Sequence, residues 1–317
     1  MKKLQQIQQS IITSKELLRT HFNVKKSFEV AQANIKKEVD NILEMQHKVI
    51  PVIPEIDYKS IIKNEVSFDE IVNIKRRGAL IIRNVFDDQQ ASEWNDEVGE
   101  YILSNDYFTK SVEREGMDQY FSQLKSGAPQ IFGLYWSRPQ MLARQSQSMA
   151  NTKKFLNSMW NVSSPYGDEF DPNNDFIYAD RIRRREPGDK TLGLSPHIDG
   201  GSFERWTDPA FQKVYGSVFN GDLKSYDPWN AAHRTHTKEY KSPAVCSMFR
   251  TFQGWTALTA QGPSDGTLSL IPIANSMSYL LLRALQDDIA PDSLCDATPG
   301  RPLLISSDYH QDLLDGI

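Results

Sequence analysis

The sequence predicts an α+β fold in which helices come first and a β-sandwich or barrel follows. Residues 1 to about 48 carry apolar side chains at three-and-four spacing, which is typical of amphipathic helices. From residue 175 onward, short apolar runs alternate with turns that contain Gly and Pro, as in antiparallel sheets. The chain has 317 residues, which is enough to bury one large core with a helical appendage.

Two apolar stripes define the N-terminal helices. The first stripe is Leu4, Ile7, Ile11 and Leu18, and the second is Phe28, Ala31, Ile35, Val39 and Ile42. Asn23 lies between them, where it would break the helix or cap a second one. The spacing also fits a coiled-coil arm that would make an oligomer, but it favours helices that lie on their own domain. Because Pro51 and Pro54 end the region, residues 1–55 are predicted to be a helical extension.

The second predicted domain, residues 56–317, opens with a helix, a strand and another helix. Ser67 and Glu70 form a capping-box pattern at the start of the first helix. The apolar, β-branched run 79–86 predicts a buried strand. Asp87 follows this run and is placed to cap the next helix.

One longer helix and several short strands complete the predicted domain. Residues 139–160 predict a helix whose core side chains are Met141, Leu142, Met149, Phe155, Leu156 and Met159. Strands are predicted at 176–183, 192–199, 244–252, 255–260 and 267–272. Residues 201–242 are predicted to be a long excursion between strands, and residues 276–285 a helix.

Composition and charge exclude several classes of protein. The net charge of −5 and pI near 5.7 argue against a nucleic-acid-binding protein, which needs an excess of Lys and Arg. No apolar run approaches the roughly 18 residues of a membrane span, so no membrane partner is expected. Cys246 and Cys295 form no metal or disulfide motif, which is typical of a reducing compartment. We therefore expect a cytoplasmic protein.

A His-x-Asp pair followed by two glycines, in the run 195–201, is the candidate metal site. On a β-strand, His197 and Asp199 point to the same face. They would supply two thirds of the 2-His-1-carboxylate triad that holds Fe(II) and leaves positions open. The spacing alone is weak evidence, because 6 His and 41 Asp plus Glu give about one match by chance. A strand-end histidine hydrogen-bonded to a carboxylate has the same spacing.

The third metal ligand is not evident among the remaining histidines. His310 lies downstream, as a third ligand should, but in a loop that enters a helix with no Lys or Arg after it. His233 and His236 lie three residues apart in the predicted excursion, and their spacing favours a solvated pair on one helical face.

Longer stretches of the chain resemble known families. Arg76–Phe86 and Gln261–Pro272 resemble the phytanoyl-CoA-hydroxylase-like oxygenases. The stretches that resemble the YbiU-like branch, which is uncharacterised, are Leu134–Ser137, Asp180–Arg185, Val218–Gly221 with Tyr226–Trp229, and Phe249–Leu258. The resemblance implies the double-stranded β-helix (jelly roll) of Fe(II)/2-oxoglutarate-dependent dioxygenases, with His197 and Asp199 as metal ligands. It also implies that a later histidine and a basic residue are missing, so the jelly roll is expected to be incomplete at its C-terminus.

Arginines are the candidate 2-oxoglutarate or substrate ligands. On a strand, Arg181, Arg183 and Arg185 share one face, which could bind anionic groups or lie at the surface beside carboxylates. Arg250 lies in an apolar run and, if buried, would need an anionic partner. That partner would be an acidic side chain or a ligand carboxylate. We select Arg183 and Arg250 as cofactor-binding candidates.

The sequence leaves more than one function open. The first is an Fe(II)/2-oxoglutarate-dependent oxygenase that oxidises a small substrate, an anionic one if the arginines face the site. The alternative is a truncated, catalytically inactive jelly-roll protein with an incomplete metal site, whose open sheet edges invite association. A third is a cupin-like metal-binding module without oxygenase activity.

Overall fold

The structure is a computed structural model that describes residues 2–107, 130–174, 176–177, 180–184, 198, 204–237, 249–262, 265 and 267–293. Two long helices open it. Helix α1 spans Lys2–His21 and α2 spans Val24–His47. The Asn23 side chain separates them by accepting a hydrogen bond from the Lys26 amide at 3.1 Å, which confirms the predicted break.

Both N-terminal helices bury their predicted stripes against helices from the second half of the chain. Ile11 and Leu18 of α1 and the stripe Ala31, Ile35, Val39 and Ile42 of α2 are buried, while the side chains of Leu4 and Ile7 lie outside the described set. These helices contact four later ones: α8 (Glu204–Thr207), α9 (Pro209–Val214), α10 (Gly216–Phe219) and α11 (Ser276–Arg283). The Phe28 and Tyr279 rings, 5.2 Å apart, lie at the α2–α11 contact.

The described part of the predicted excursion at 201–242 contains three short helices, α8, α9 and α10. Asp208 caps α9 by accepting hydrogen bonds from the Ala210 and Phe211 amides, and Pro209 takes the first helical position. These are local signals that the sequence displays, but each helix is too short to show a periodic apolar face.

The helix–strand–helix unit forms with one addition. Helix α3 (Tyr58–Lys63) follows strand β1 (Glu55–Asp57), which pairs in parallel with β2 (Ile81–Arg83). Helix α4 is Phe68–Arg77 and α5 is Asp88–Ser104. The capping box of α4 forms as predicted, with the Ser67 amide 2.7 Å from Glu70 Oε2. The predicted burial of the strand is wrong, since Ile81 and Arg83 of β2 are exposed.

The predicted helix at 139–160 is two helices, α6 (Arg138–Gln145) and α7 (Gln147–Asn157). Ser146 interrupts it, because its hydroxyl accepts a hydrogen bond from the Met149 amide and begins α7. Met159 is buried as predicted, but Leu142 is exposed.

Strand structure in the described residues is limited to short pairs. Strand β3 (Ile131–Phe132) pairs with β6 (Ile182–Arg183), and β4 (Ser163–Ser164) pairs with β5 (Gly167–Asp168), both antiparallel. The predicted strands at 255–260 and 267–272 have irregular backbone where they are described. Most of 192–199 and 244–252 lies outside the described residues, so the jelly roll stays a prediction. Among the described helices, none combines the length and apolar character needed to cross a bilayer.

Candidate functional site

The predicted metal ligands His197 and Asp199 lie outside the described residues, as does His310. Of the 195–201 run, the structure describes only Ile198. The described part of the site therefore consists of the two predicted cofactor-binding residues, Arg183 and Arg250, and the side chains around them.

Arg183 lies on β6, at the edge of the pair with β3. The register places Ile131 opposite Arg183 and Phe132 opposite Ile182. Ile182 is buried with Phe132, while Arg183 is exposed, since neighbouring strand residues point to opposite faces. Arg181 is exposed as well. Arg184, which the spacing puts on the opposite face, is exposed too.

Gln140 connects the segment before β6 to the segment after β3. Its side-chain amide donates to the carbonyls of Leu134 and Asp180, each at 2.9 Å. The Asp180 carboxylate forms a 2.7 Å ion pair with Arg144 Nε. The Arg144 guanidinium carbon lies 5.3 Å from the centre of the Trp136 ring, and Trp136 is 65% exposed.

The Gln140 hydrogen bonds to Leu134 and Asp180 join two of the stretches that resemble YbiU-like proteins, 134–137 and 180–185. An exposed indole beside a guanidinium can stack on planar groups. Sequence reasoning missed Gln140 and Arg144. The available signal was the capping-box spacing of Ser137 and Gln140, which the structure forms at the start of α6.

Arg250 is exposed, so the buried alternative considered for it does not apply. Its neighbours hold the segment in place. The Phe249 ring lies 5.1 Å from Trp160, and the Thr251 hydroxyl donates to the Asn157 side chain at 2.7 Å. Because an exposed guanidinium stays hydrated, Arg250 needs no buried anionic partner. It is available to a ligand from solvent.

Arg183 and Arg250 lie beside different parts of the core. Ile182, next to Arg183, packs in the cluster of Val98 and Ile102, whereas Phe252 packs in the cluster of Met159 and Trp229. The segment 249–262 passes from one cluster to the other, because its Leu258 packs against the first.

A second polar cluster contains Glu169 and the two histidines that were predicted to be solvated. The Glu169 side chain is inaccessible to solvent, and its carboxylate accepts hydrogen bonds from the His233 amide at 2.9 Å and from the Thr235 hydroxyl. His236 Nε2 lies 3.6 Å from the carboxylate. The Tyr166 ring packs against both imidazoles. The His236 side chain is still half exposed to solvent, and His233 is partly exposed.

The electrostatics of this cluster favour the ionised form of Glu169 and the neutral form of His233. Burial raises the pKa of Glu169, but the hydrogen bonds from Thr235 and His233 outweigh burial and lower the pKa overall. Burial lowers the pKa of His233, and the Lys213 ammonium adds to the effect. Among the residues that the structure describes, no three His, Cys, Asp or Glu side chains are grouped to hold a metal ion.

Two arginines, the buried Arg205 and the partly exposed Arg234, lie beside two tyrosines. Arg205 is 7% exposed, its Nη1 donates to the Tyr215 hydroxyl at 2.9 Å, and its guanidinium carbon lies 4.3 Å from the centre of the Phe211 ring. The Arg234 guanidinium lies against the hydroxyls of Tyr215 and Tyr226. Neither arginine forms an ion pair with a carboxylate in the described part of the chain. Burial raises the pKa of Tyr226, so its phenol stays protonated.

Comparison with known proteins relates the chain to one family. A family model described as Gig2-like matches residues 3–315. The uncharacterized protein YbiU of Escherichia coli (strain K12) is 40% identical over 297 residues, which cover 93% of this chain and 70% of that protein.

Solved structures superpose on most of the chain. A proposed oxidoreductase from Salmonella typhimurium LT2 has a TM-score of 0.85 and 40% identity, covering 98% of this chain and 75% of that one. The product of GlcNAc inducible gene 2 from Candida albicans has a TM-score of 0.73 and 27% identity, covering 97% of this chain and 67% of that one.

Proposed function

Because this chain belongs to the Gig2-like family, we propose that it is an oxidoreductase, and more narrowly an Fe(II)/2-oxoglutarate-dependent oxygenase with a double-stranded β-helix core. Two observations together support the proposal. The chain contains the His197-x-Asp199 pair and is similar over nearly its whole length to a protein described as a proposed oxidoreductase. The substrate would be a small molecule.

The proposed metal ligands are the His197 imidazole and the Asp199 carboxylate. One nitrogen and one oxygen donor at strand spacing suit a ferrous ion of the facial-triad type. With 2-oxoglutarate and O2, that ion would supply the oxidation of a C–H bond. The residues of the chain would hold the substrate, orient it and keep water away.

The described arginines fit the carboxylates of 2-oxoglutarate. A guanidinium grips a carboxylate through two parallel hydrogen bonds, and Arg250 and Arg183 are both exposed to solvent. Arg250 is favoured for this role because Phe249 and Thr251 anchor the backbone on either side of it. We assign Arg250 to the cosubstrate and Arg183 to an anionic group of the cosubstrate or substrate.

Anaerobic Fe(II) titration in the presence of 2-oxoglutarate tests the assignment. We expect a weak visible charge-transfer band that is lost in His197→Ala and kept in His47→Ala, which removes an exposed histidine at the end of α2. Arg250→Ala should raise the 2-oxoglutarate concentration needed for the band. A band that is equal in His197→Ala and His47→Ala contradicts the metal assignment. Iron binding that 2-oxoglutarate does not strengthen would indicate the cupin-like module instead.

A further inference from the structure

A cavity of about 220 Å³ lies between α2, α11 and the segment around residues 223–226. Its lining is mainly polar, with an apolar contribution from Ile35 and Leu223. The polar lining residues are Asn34, Lys37, Glu38, Tyr226, Asn275 and Ser278. None of them belongs to the residues assigned to iron or to 2-oxoglutarate, so the cavity has no part in the proposed function.

Two arginines, the buried Arg205 and the partly exposed Arg234, lie on the side of Tyr215 and Tyr226, and Tyr226 lines this cavity. Tyr226 also contacts the Arg234 guanidinium. Arg234 contacts Tyr215 as well, and the Tyr215 hydroxyl accepts a hydrogen bond from Arg205. The Nε of Arg205 is buried and has no hydrogen-bond partner. Arg205 is thus a buried cation without a carboxylate partner in the described part of the chain, and a protonated tyrosine cannot neutralise it. The wall therefore favours negative charge on its other side.

The carboxylate on the cavity lining does not supply that negative charge, because it is already compensated. Glu38 accepts two hydrogen bonds from Arg76 Nε, at 2.8 and 3.1 Å, and lies 3.6 Å from Arg77 Nη1. Arg77 is 2% exposed, so its charge is desolvated as well. Two guanidiniums on one carboxylate leave the surroundings of the cavity positive.

Donor groups at the rim are free to meet an anion. Lys37 forms no ion pair, and the side-chain amides of Asn34 and Asn275 form no hydrogen bond, within the part of the chain that the structure describes. Ammonium and amide N–H groups are the donors that phosphate and carboxylate oxygens accept from. A cavity of this volume admits a small molecule, not a polymer.

We propose that this cavity binds a small oxyanion, a phosphate or carboxylate group, which Lys37 and the amides of Asn34 and Asn275 hold while it compensates the arginines behind Tyr226. The site is separate from the metal chemistry proposed above, so it needs neither iron nor 2-oxoglutarate. Its ligand class follows from charge and hydrogen bonding alone.

Calorimetric titration of the full chain with inorganic phosphate and with malonate, at constant ionic strength and with chloride as the reference anion, tests the proposal. Saturable binding of phosphate or of malonate, without equal binding of chloride, supports it and tells the two oxyanion classes apart. Equal heats for all three anions, or no saturable binding, would overturn it.

Variants locate the binding in the cavity. Lys37→Gln should weaken the oxyanion by about ten-fold, the loss expected for a charge-assisted hydrogen bond. Lys36→Gln removes the same charge from the neighbouring residue of α2, which does not line the cavity, and should change the affinity little. Asn275→Ala should also weaken binding, and thermal unfolding should not change, because this side chain makes no capping bond. Equal affinities of Lys37→Gln and Lys36→Gln would refute the site.

Discussion

At the scale of single residues, the polar clusters depend on side chains whose partners come from distant parts of the sequence. Glu169 follows β5, yet its hydrogen bonds come from His233 and Thr235, more than sixty residues later. Gln140 likewise connects Leu134 with Asp180. Such buried hydrogen bonds stabilise the fold mainly because leaving a buried polar group unpaired is costly.

Glu169 should make stability depend on pH. Its pKa is lower in the folded protein than the ordinary value of 4.5, so its contribution is fully present above that pH. The contribution is lost as the pH falls through the folded pKa, because the carboxylate is then protonated. The difference in free energy of unfolding between wild type and Glu169→Gln should therefore be largest near pH 7 and shrink below pH 4.5. Urea unfolding at several pH values measures it, and a difference that grows on acidification would contradict the assignment.

Gln140→Met should destabilise the protein by about 2 kcal/mol, because it leaves the carbonyl of the buried Leu134 without its donor and breaks the link to the Asp180 carbonyl. Gln147→Met on α7 is the control, since the exposed side-chain amide of Gln147 donates a hydrogen bond only to Asn151, one turn later in the same helix. Denaturant unfolding compares the two. Equal midpoints would show that the Gln140 hydrogen bonds contribute nothing to stability.

At the scale of elements, Gly78 ends α4 at a place where the chain makes a close tertiary contact. Its φ of +67° lies in the left-handed region, and a Cβ there would lie 3.1 Å from the Ala274 Cα. The Ala274 amide also donates to the Arg76 carbonyl at 3.1 Å, so the end of α4 is fixed to the segment before α11. Capping and packing thus act at the same residue.

Gly78→Ala should therefore cost about 2 kcal/mol, from left-handed strain and from the close contact together. Gly216→Ala is the matched control, because a Cβ at that position meets nothing within 4 Å and its φ is not positive. Thermal or urea unfolding of both variants checks this. If Gly216→Ala were the more destabilised of the two, the explanation for Gly78 would be wrong.

At the scale of the whole molecule, the predicted N-terminal extension is part of the core. Buried residues of α1 share one cluster with α9, α10 and α11, and Val39 and Ile42 of α2 share another with Ile273 and Tyr279. Helices that bury this much apolar surface against the rest of the chain should unfold together with it.

Ile42→Ala tests that coupling. Ile42 is 1% exposed, so its truncation should cost about 3 kcal/mol. All six tryptophans lie at Trp94 or later, so their fluorescence reports on the chain beyond the extension. We expect fluorescence and far-UV circular dichroism to shift together, and the exposed control Val30→Ala to shift both far less. A fluorescence transition that stays at the wild-type midpoint would show that residues 1–55 unfold independently.

The sequence by itself determined what depends on neighbours in the chain. The Asn23 break, the Ser67–Glu70 capping box, the Asp87 cap and the buried stripes of α1 and α2 were all predictable, because caps and helical periodicity act within one or two turns. The resemblance of several stretches to YbiU-like proteins was likewise evident from residue order, and the family match bears it out.

Only the tertiary structure decided which of these elements is covered by another. The run 79–86 is as apolar as a core strand, yet β2 has exposed side chains; Arg250 lies in an apolar run, yet it faces solvent. The same holds for the contact of Gln140 with Asp180 and for the positive wall behind Tyr226. A side chain is buried when residues distant in the sequence pack on it. The local sequence pattern does not indicate which residues those are.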